Sequence, residues 1–342
     1  MRHTLLKCSL LFLIVFNSPL GLFAQTRMPA NPRLMDKVKS GEVKPPVENR
    51  IPYTPRIPAN LDYHKDIVYG HTSTSDLKLD VMTLKNYPGQ TRPAIVYIHG
   101  GGWSAGSKNG IGSAFTKLAQ SGYFCVSIDY RLSGEAVFPA QIDDCKTAIR
   151  WVRAHAKQYK VDPQHIGVYG GSAGGHLASL MGTSGDIKSL EGKGEWQGYS
   201  TKVQAVVDLF GPVDLVSIIQ KIQAAQQRFQ TPGRASQTAN QPAGAVPAML
   251  GGPVEKQLEK ARIASPVTYI TPDDPPFLII HGDEDKVVSI EQSQNFYSKL
   301  TSAGVEATLK IYPGEGHGIR NPESQDIIVE FFKQKLPIPP LF

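Results

Sequence analysis

From residue 61 onward, short apolar runs alternate with stretches in which apolar residues return every three or four positions. The first pattern suits strands buried on both faces, the second helices with one buried face. Asp66 to Tyr69 and Leu77 to Met82 read as strands, the second alternating at Leu77, Leu79 and Val81. Ala94 to Ile98 (AIVYI), Tyr123 to Ile128 (YFCVSI) and Ile166 to Tyr169 (IGVY) are continuous apolar strands. Val203 to Phe210, Phe277 to Ile280 (FLII) and Ala307 to Tyr312 complete the set. Helices are predicted over Ser113 to Gln120, and from Pro139 through Ile142, Cys145, Ile149 and Val152. Others cover Leu177 to Met181, Ser289 to Thr301 and Gln325 to Lys335, and Asp162-Pro163 reads as a turn. Such alternation predicts an α/β fold, a mostly parallel central sheet with helices on both faces. Sites in these sheets lie beyond the carboxyl ends of the strands.

Two regions break the pattern. Residues 215–265 hold two short helical pieces around the Gln-, Ala- and Pro-rich stretch Gln230 to Pro247. This length suits either a cap-like insertion over the site or a solvated excursion. Residues 25–60 carry seven prolines, Pro29, Pro32, Pro45, Pro46, Pro52, Pro55 and Pro58, with little apolar periodicity. They read as an extended N-terminal arm. Before them, Arg2 and Lys7 precede the apolar run Cys8 to Phe16, which Asn17, Ser18 and Pro19 break. Residues 1–24 therefore read as a secretory signal cleaved near Ala24, with an uncleaved anchor as the alternative. Leu22 stands where a small residue is preferred, and Lys7 before Cys8 argues against a lipoprotein box. The domain proper is expected over 61–342, and the expected location is secreted or periplasmic.

Composition narrows the function classes. The chain of 342 residues is 41% hydrophobic and 19% charged, ordinary values for a globular domain. Without Arg2 and Lys7, the basic count falls from 36 to 34 against 30 acids, a net +4. This mild excess comes with no dense Lys/Arg block, so no nucleic-acid partner is expected. The mature chain is expected to have no membrane span, and the oligomeric state is left open. Cys125 and Cys145 remain after the signal; two buried thiols are expected, with a disulfide as the alternative that export would permit. No His/Cys/carboxylate spacing suggests a metal site. No phosphate loop or dinucleotide fingerprint is found, and no cofactor is expected.

Three strand ends carry reactive groups. Gly170-Gly171-Ser172-Ala173-Gly174 stands between the strand IGVY and a helix, the setting in which a G-x-S-x-G turn lifts a serine over the sheet. His99-Gly100-Gly101-Gly102-Trp103 follows the strand AIVYI. Its side-chain-free backbone can aim the N–H groups of Gly101 and Gly102, with that of Ala173, at one oxygen. His99 reads as structural, and Trp103 as either a wall of the acyl pocket or packing. The last two strands run into His281-Gly282-Asp283-Glu284-Asp285-Lys286-Val287-Val288 and Pro313-Gly314-Glu315-Gly316-His317-Gly318. A serine needs a histidine to take its proton, and the histidine needs a carboxylate to fix its tautomer. His317 is the histidine; Asp283, Glu284 and Asp285 all stand near, with Asp285 selected and Asp283 bracing the loop. Asp129, Tyr130 and Arg131 read as loop ties, Asp143 and Asp144 as acids at a helix start, and His176 as packing or a supporting bond.

In order along the chain, HGGGW, DYRL, FPAQIDDC, GGSAGGH, LFGPVDL, HGDEDKVV and GEGHG resemble the bacterial feruloyl-esterase-like branch of the α/β-hydrolases. That branch is close to the hormone-sensitive-lipase-type esterases, and the resemblance covers about residues 62–335. It implies the α/β-hydrolase fold and the chain order of nucleophile, acid and histidine found here. It also implies Asp285 as the acid, from the D-x-x-V pattern, and Gly101, Gly102 and Ala173 as the oxyanion hole. The expected activity is hydrolysis of short-acyl or aromatic-acyl esters, acetyl or feruloyl, free or linked to plant polysaccharide. The alternatives are an arylformamidase-like amide hydrolase, a serine peptidase, or a non-catalytic binding protein on the same scaffold. The Gln/Ala-rich insertion and the Pro-rich arm depart from the family pattern.

Overall fold

A computed structural model describes residues 57–185, 187–229 and 244–339. The signal segment, most of the Pro-rich arm and the centre of the Gln-rich stretch lie outside the described residues. The strands are β1 (Leu61–His71), β2 (Asp76–Leu84), β3 (Arg92–Ile98), β4 (Phe124–Ile128), β5 (Val161–Gly171), β6 (Ala205–Leu209), β7 (Phe277–Gly282) and β8 (Ala307–Tyr312). Between and after them come helices α1 (Ser113–Gln120), α2 (Ala140–Ala154), α3 (Ala156–Tyr159), α4 (Ala173–Thr183), α5 (Leu215–Phe229), α6 (Ala245–Leu250), α7 (Leu258–Ile263), α8 (Glu291–Ser302) and α9 (Glu323–Lys335).

The strands form one sheet in the order β1-β2-β4-β3-β5-β6-β7-β8. The first two pairings, β1 with β2 and β2 with β4, are antiparallel; the rest are parallel. Alternate side chains feed two apolar layers, as the period of two requires. Phe124, Val126 and Ile128 face one layer with Ile142, Cys145 and Ile149 of α2, Leu177 of α4 and Phe296 of α8. Ile95, Cys125 and Tyr169 face the other with Phe115 of α1 and Phe332 of α9. The two cysteines are buried free thiols in opposite layers, so the sheet itself separates them.

Two local expectations need correcting. Asp162-Pro163 is not a turn ahead of the strand but lies within the bounds of β5. Arg92 pairs with Val161 and Ala94 with Ile166, so residues 162–165 bulge out of the ladder. The bulge is held by Asp162, whose carboxylate accepts the Gln164 N–H at 2.9 Å. The insertion also holds more helix than two short pieces: α5 alone runs 15 residues, followed by α6 and α7. Among the described residues, no helix is long and apolar enough to cross a membrane.

Candidate active site

The turn after β5 explains why its residues are small. Ser172 has φ 55° and ψ −120°. Its N–H donates to the Leu209 carbonyl at 2.8 Å, and its carbonyl accepts the His176 N–H at 3.0 Å. A Cβ on Gly170 would stand 2.5 Å from the Ile98 carbonyl oxygen, and one on Gly174 only 2.1 Å from it. Both positions must therefore lack a side chain for β5 and α4 to approach β3 this closely. The strained serine is held from both sides.

The structure brings Ser172, His317 and Asp285 into one chain of hydrogen bonds. The Ser172 hydroxyl donates to His317 Nε2 at 2.9 Å, and His317 Nδ1–H donates to Asp285 Oδ2 at 2.7 Å. Asp285 Oδ1 accepts the N–H groups of Val287 at 2.7 Å and Val288 at 3.0 Å. Burial opposes charge on Asp285, but hydrogen bonds from His281, His317, Val288 and Val287 outweigh it. Its carboxyl is held well below the usual carboxylate range. Asp283 stands apart and accepts the Gly314 N–H at 2.6 Å, which braces the loop leading to His317.

Two contributors were not singled out in the sequence. His281 is buried at the end of β7, with Nδ1 accepting the Ser293 hydroxyl at 2.7 Å. Its Nε2–H is shared between the Val288 carbonyl at 3.0 Å and Asp285 Oδ2 at 3.2 Å. Phe210 has φ 46° and packs edge-on against His317, with ring centroids 4.8 Å apart. The i, i+4 spacing of His281 and Asp285 was a usable signal; nothing local marks Phe210.

Gly101, Gly102 and Ala173 border the same cavity as Ser172 and His317, a space of about 530 Å³. Trp103 also borders it while being only 3% exposed, so the indole is at once wall and packing. Ile218 of α5 and Ala245 and Val246 of α6 complete the wall, so the insertion supplies part of the pocket. None of the described lining residues is Asp, Glu, Lys or Arg. His99 is turned away from the reaction centre: it is buried, bonds the Gly100 carbonyl through Nδ1 at 2.7 Å and stacks on Tyr130. Asp129 accepts the Lys108 N–H, Tyr130 donates to the His99 carbonyl, and Arg131 pairs with Asp144, so all three tie loops together. Among the described residues no group of three or more His, Cys, Asp or Glu is placed to hold a metal.

Beneath the elbow, Asp208 of β6 is fully buried. It accepts the Gly211 N–H at 2.8 Å and the Ser179 hydroxyl at 3.0 Å. Burial raises its pKa to about 6, against those two hydrogen bonds and the nearby His281. A carboxyl raised in the folded state stabilises the fold fully below its unfolded pKa and loses that contribution as pH rises through 6. A shift of this size corresponds to about 3 kcal/mol at most. Asp208→Asn can keep the Gly211 bond and donate to Ser179, so it is expected to fold. Its melting temperature should gain on the wild type between pH 4 and pH 8. Parallel melting curves across that range would refute the assignment.

The sequence and fold have clear relatives. A profile of the BD-FAE family matches residues 79–300. Esterase LipC of Mycobacterium tuberculosis is 33% identical over 259 residues, which are 75% of this chain and 60% of LipC. A structure of a truncated carbohydrate esterase from gut microbiota superposes with a TM-score of 0.67 at 31% identity. That match covers 80% of this chain and 96% of the esterase. The propionate-bound thermophilic esterase Est2 of the planctomycete Thermogutta terrifontis gives a TM-score of 0.64 at 28% identity, covering 84% of this chain and 98% of Est2. The chain spans about half the length of the curated mycobacterial relatives it matches.

Proposed function

Since the chain belongs to the BD-FAE family, we propose that it is a serine carboxylesterase working through an acyl-enzyme. The observation that carries the reading is the continuous relay from the Ser172 hydroxyl through His317 to Asp285. Ser172 attacks the ester carbonyl while His317 takes its proton. The N–H groups of Gly101, Gly102 and Ala173 receive the oxyanion, each worth about 3–4 kcal/mol in the transition state. The tetrahedral centre collapses, the alcohol leaves with the proton held on His317, and the acyl group stays on Ser172. Water, deprotonated by His317, then releases the acid and restores the serine. Asp285 keeps the His317 Nδ1–H in place and steadies the imidazolium.

The substrates proposed are short-acyl or aromatic-acyl esters, acetyl or feruloyl, either free or on plant polysaccharide. Three observations support this: the uncharged pocket lining, the carbohydrate esterase among the structural relatives, and the propionate-bound Est2. Export is proposed from the leader at residues 1–24, which lies outside the described residues. The test is an ester panel on the purified protein: p-nitrophenyl acetate, butyrate and palmitate, methyl ferulate and acetylated xylan. Acetyl, butyryl or feruloyl esters should turn over faster than palmitate. Preference for palmitate would overturn the acyl assignment. Turnover of N-formylkynurenine with no ester would overturn the reaction class.

A further inference from the structure

His176 lies one turn into α4, is fully buried and takes no part in the relay. Both of its ring nitrogens are used, and by different segments. Nδ1 accepts the indole N–H of Trp103 at 3.1 Å, and Nε2–H donates to the Ala264 carbonyl at 2.7 Å. These partners demand one neutral tautomer, with the proton on Nε2. Burial favours the same neutral ring and pushes its pKa down to about 4, against the pull of the Ala264 carbonyl. An aliphatic side chain would fill this place in α4 without either bond.

Trp103 is where the contact reaches the chemistry. Gly101, Gly102 and Trp103 have φ of 117°, 59° and 57°. A bulky side chain disfavours that left-handed region, so the loop needs an external hold at Trp103. The Trp103 carbonyl accepts the Ser133 N–H at 2.7 Å, while its indole is tied to His176. The N–H groups assigned to the oxyanion lie one and two residues before it. A tilt of the indole therefore changes where they point. The second partner, Ala264, closes α7 at the end of the insertion that lines the pocket.

We infer that His176 is a positioning residue that clamps the oxyanion loop to the nucleophile helix through Trp103 and clamps the insertion to both through Ala264. The inference rests on the esterase reading and concerns the same site. Oxyanion donors act mainly in the transition state, so misaiming them lowers kcat and leaves KM nearly unchanged. Loosening the insertion instead reshapes the acyl wall and moves KM and chain-length preference.

Two variants separate the two bonds. His176→Gln can reach Ala264 with its amide N–H but offers Trp103 no acceptor at the Nδ1 position. His176→Asn can place its carbonyl oxygen near that position but falls short of Ala264. Rates on p-nitrophenyl acetate and butyrate are taken per active serine, titrated with a phosphonate, so misfolded protein does not count. His176→Gln should lose about tenfold to a hundredfold in kcat with KM within about threefold. His176→Asn should keep kcat within about threefold and change the acetate-to-butyrate ratio. Trp103→Phe, which removes the same bond from its other end but also shortens a pocket wall, should match His176→Gln in kcat while shifting KM, and the double variant should lose no more kcat than the larger single loss. Wild-type kcat per titrated site in His176→Gln, or losses that multiply in the double variant, would overturn the inference alone. A wild type inactive on every ester would take down the esterase reading and the inference together.

Discussion

Replacing Ser172 by alanine is expected to lower kcat for ester hydrolysis by about 10⁴- to 10⁶-fold while leaving the fold unchanged. The loss is large because the hydroxyl is the atom that forms the acyl bond. What remains would come from the oxyanion donors and from substrate binding. The fold should survive because the elbow is held through the backbone. The Ser172 N–H bonds Leu209, and its carbonyl accepts the His176 N–H. Alanine adopts φ 55° no worse than serine, since both carry one Cβ. Among the described residues, the side-chain bond removed runs to His317, whose side chain is 21% exposed and can turn to water. Thermal melts and near-UV circular dichroism should therefore match the wild type. Residual kcat above about 1% of wild type would remove Ser172 from its role.

Much of this was legible from spacing alone. Continuous apolar runs marked β3, β4, β5 and β7, because a strand buried on both faces has no polar position to spare. Strand ends were less legible. β1 begins at Leu61 and not at Asp66 because Leu61 pairs with Leu84, a contact that the alternation of either strand alone does not encode. Ser172, Asp285 and His317, which the structure brings into one relay, were readable because each sits in a short motif that follows a strand. His281 was passed over because its role depends on Ser293, Val288 and Asp285 meeting it from three directions. Phe210 gave no signal because its left-handed backbone is imposed by neighbours. Its N–H bonds the Ile280 carbonyl, and its ring packs on Gly171 and His317. The insertion read equally as a cap over the site or as a solvated excursion. Helical folding resolves this by bringing Ile218, Ala245 and Val246 to the pocket wall.

Asp285→Asn should be damaging both to catalysis and to stability, although it changes one atom. Four N–H groups converge on the carboxylate: Val287 and Val288 on Oδ1, His317 and His281 on Oδ2. An amide has one oxygen and one NH₂, so either orientation sets the NH₂ against two donors. With the NH₂ toward the histidines, His317 must offer a bare Nδ1 and carry its proton on Nε2. It then cannot take the Ser172 proton, and kcat should fall by about 10³- to 10⁴-fold. His281 cannot relieve the conflict, because its Nδ1 already accepts from Ser293. With the amide reversed, the Val287 and Val288 N–H groups lose their acceptor, at about 1–3 kcal/mol for the buried Val288 and less for the exposed Val287, which can turn to water. The stability loss carries a pH signature. A carboxyl held below its unfolded pKa stabilises the fold fully above that pKa and loses the contribution as pH falls toward the lowered folded value. Urea melts should thus show the full gap between wild type and Asp285→Asn at pH 7, narrowing only below about pH 4. Asp283→Asn is the control. Its carboxylate accepts the Gly314 N–H, which an amide oxygen can still accept, so kcat should stay within about threefold of wild type. If the two variants exchanged these behaviours, the acid of the relay would be Asp283 and the D-x-x-V reading would fail.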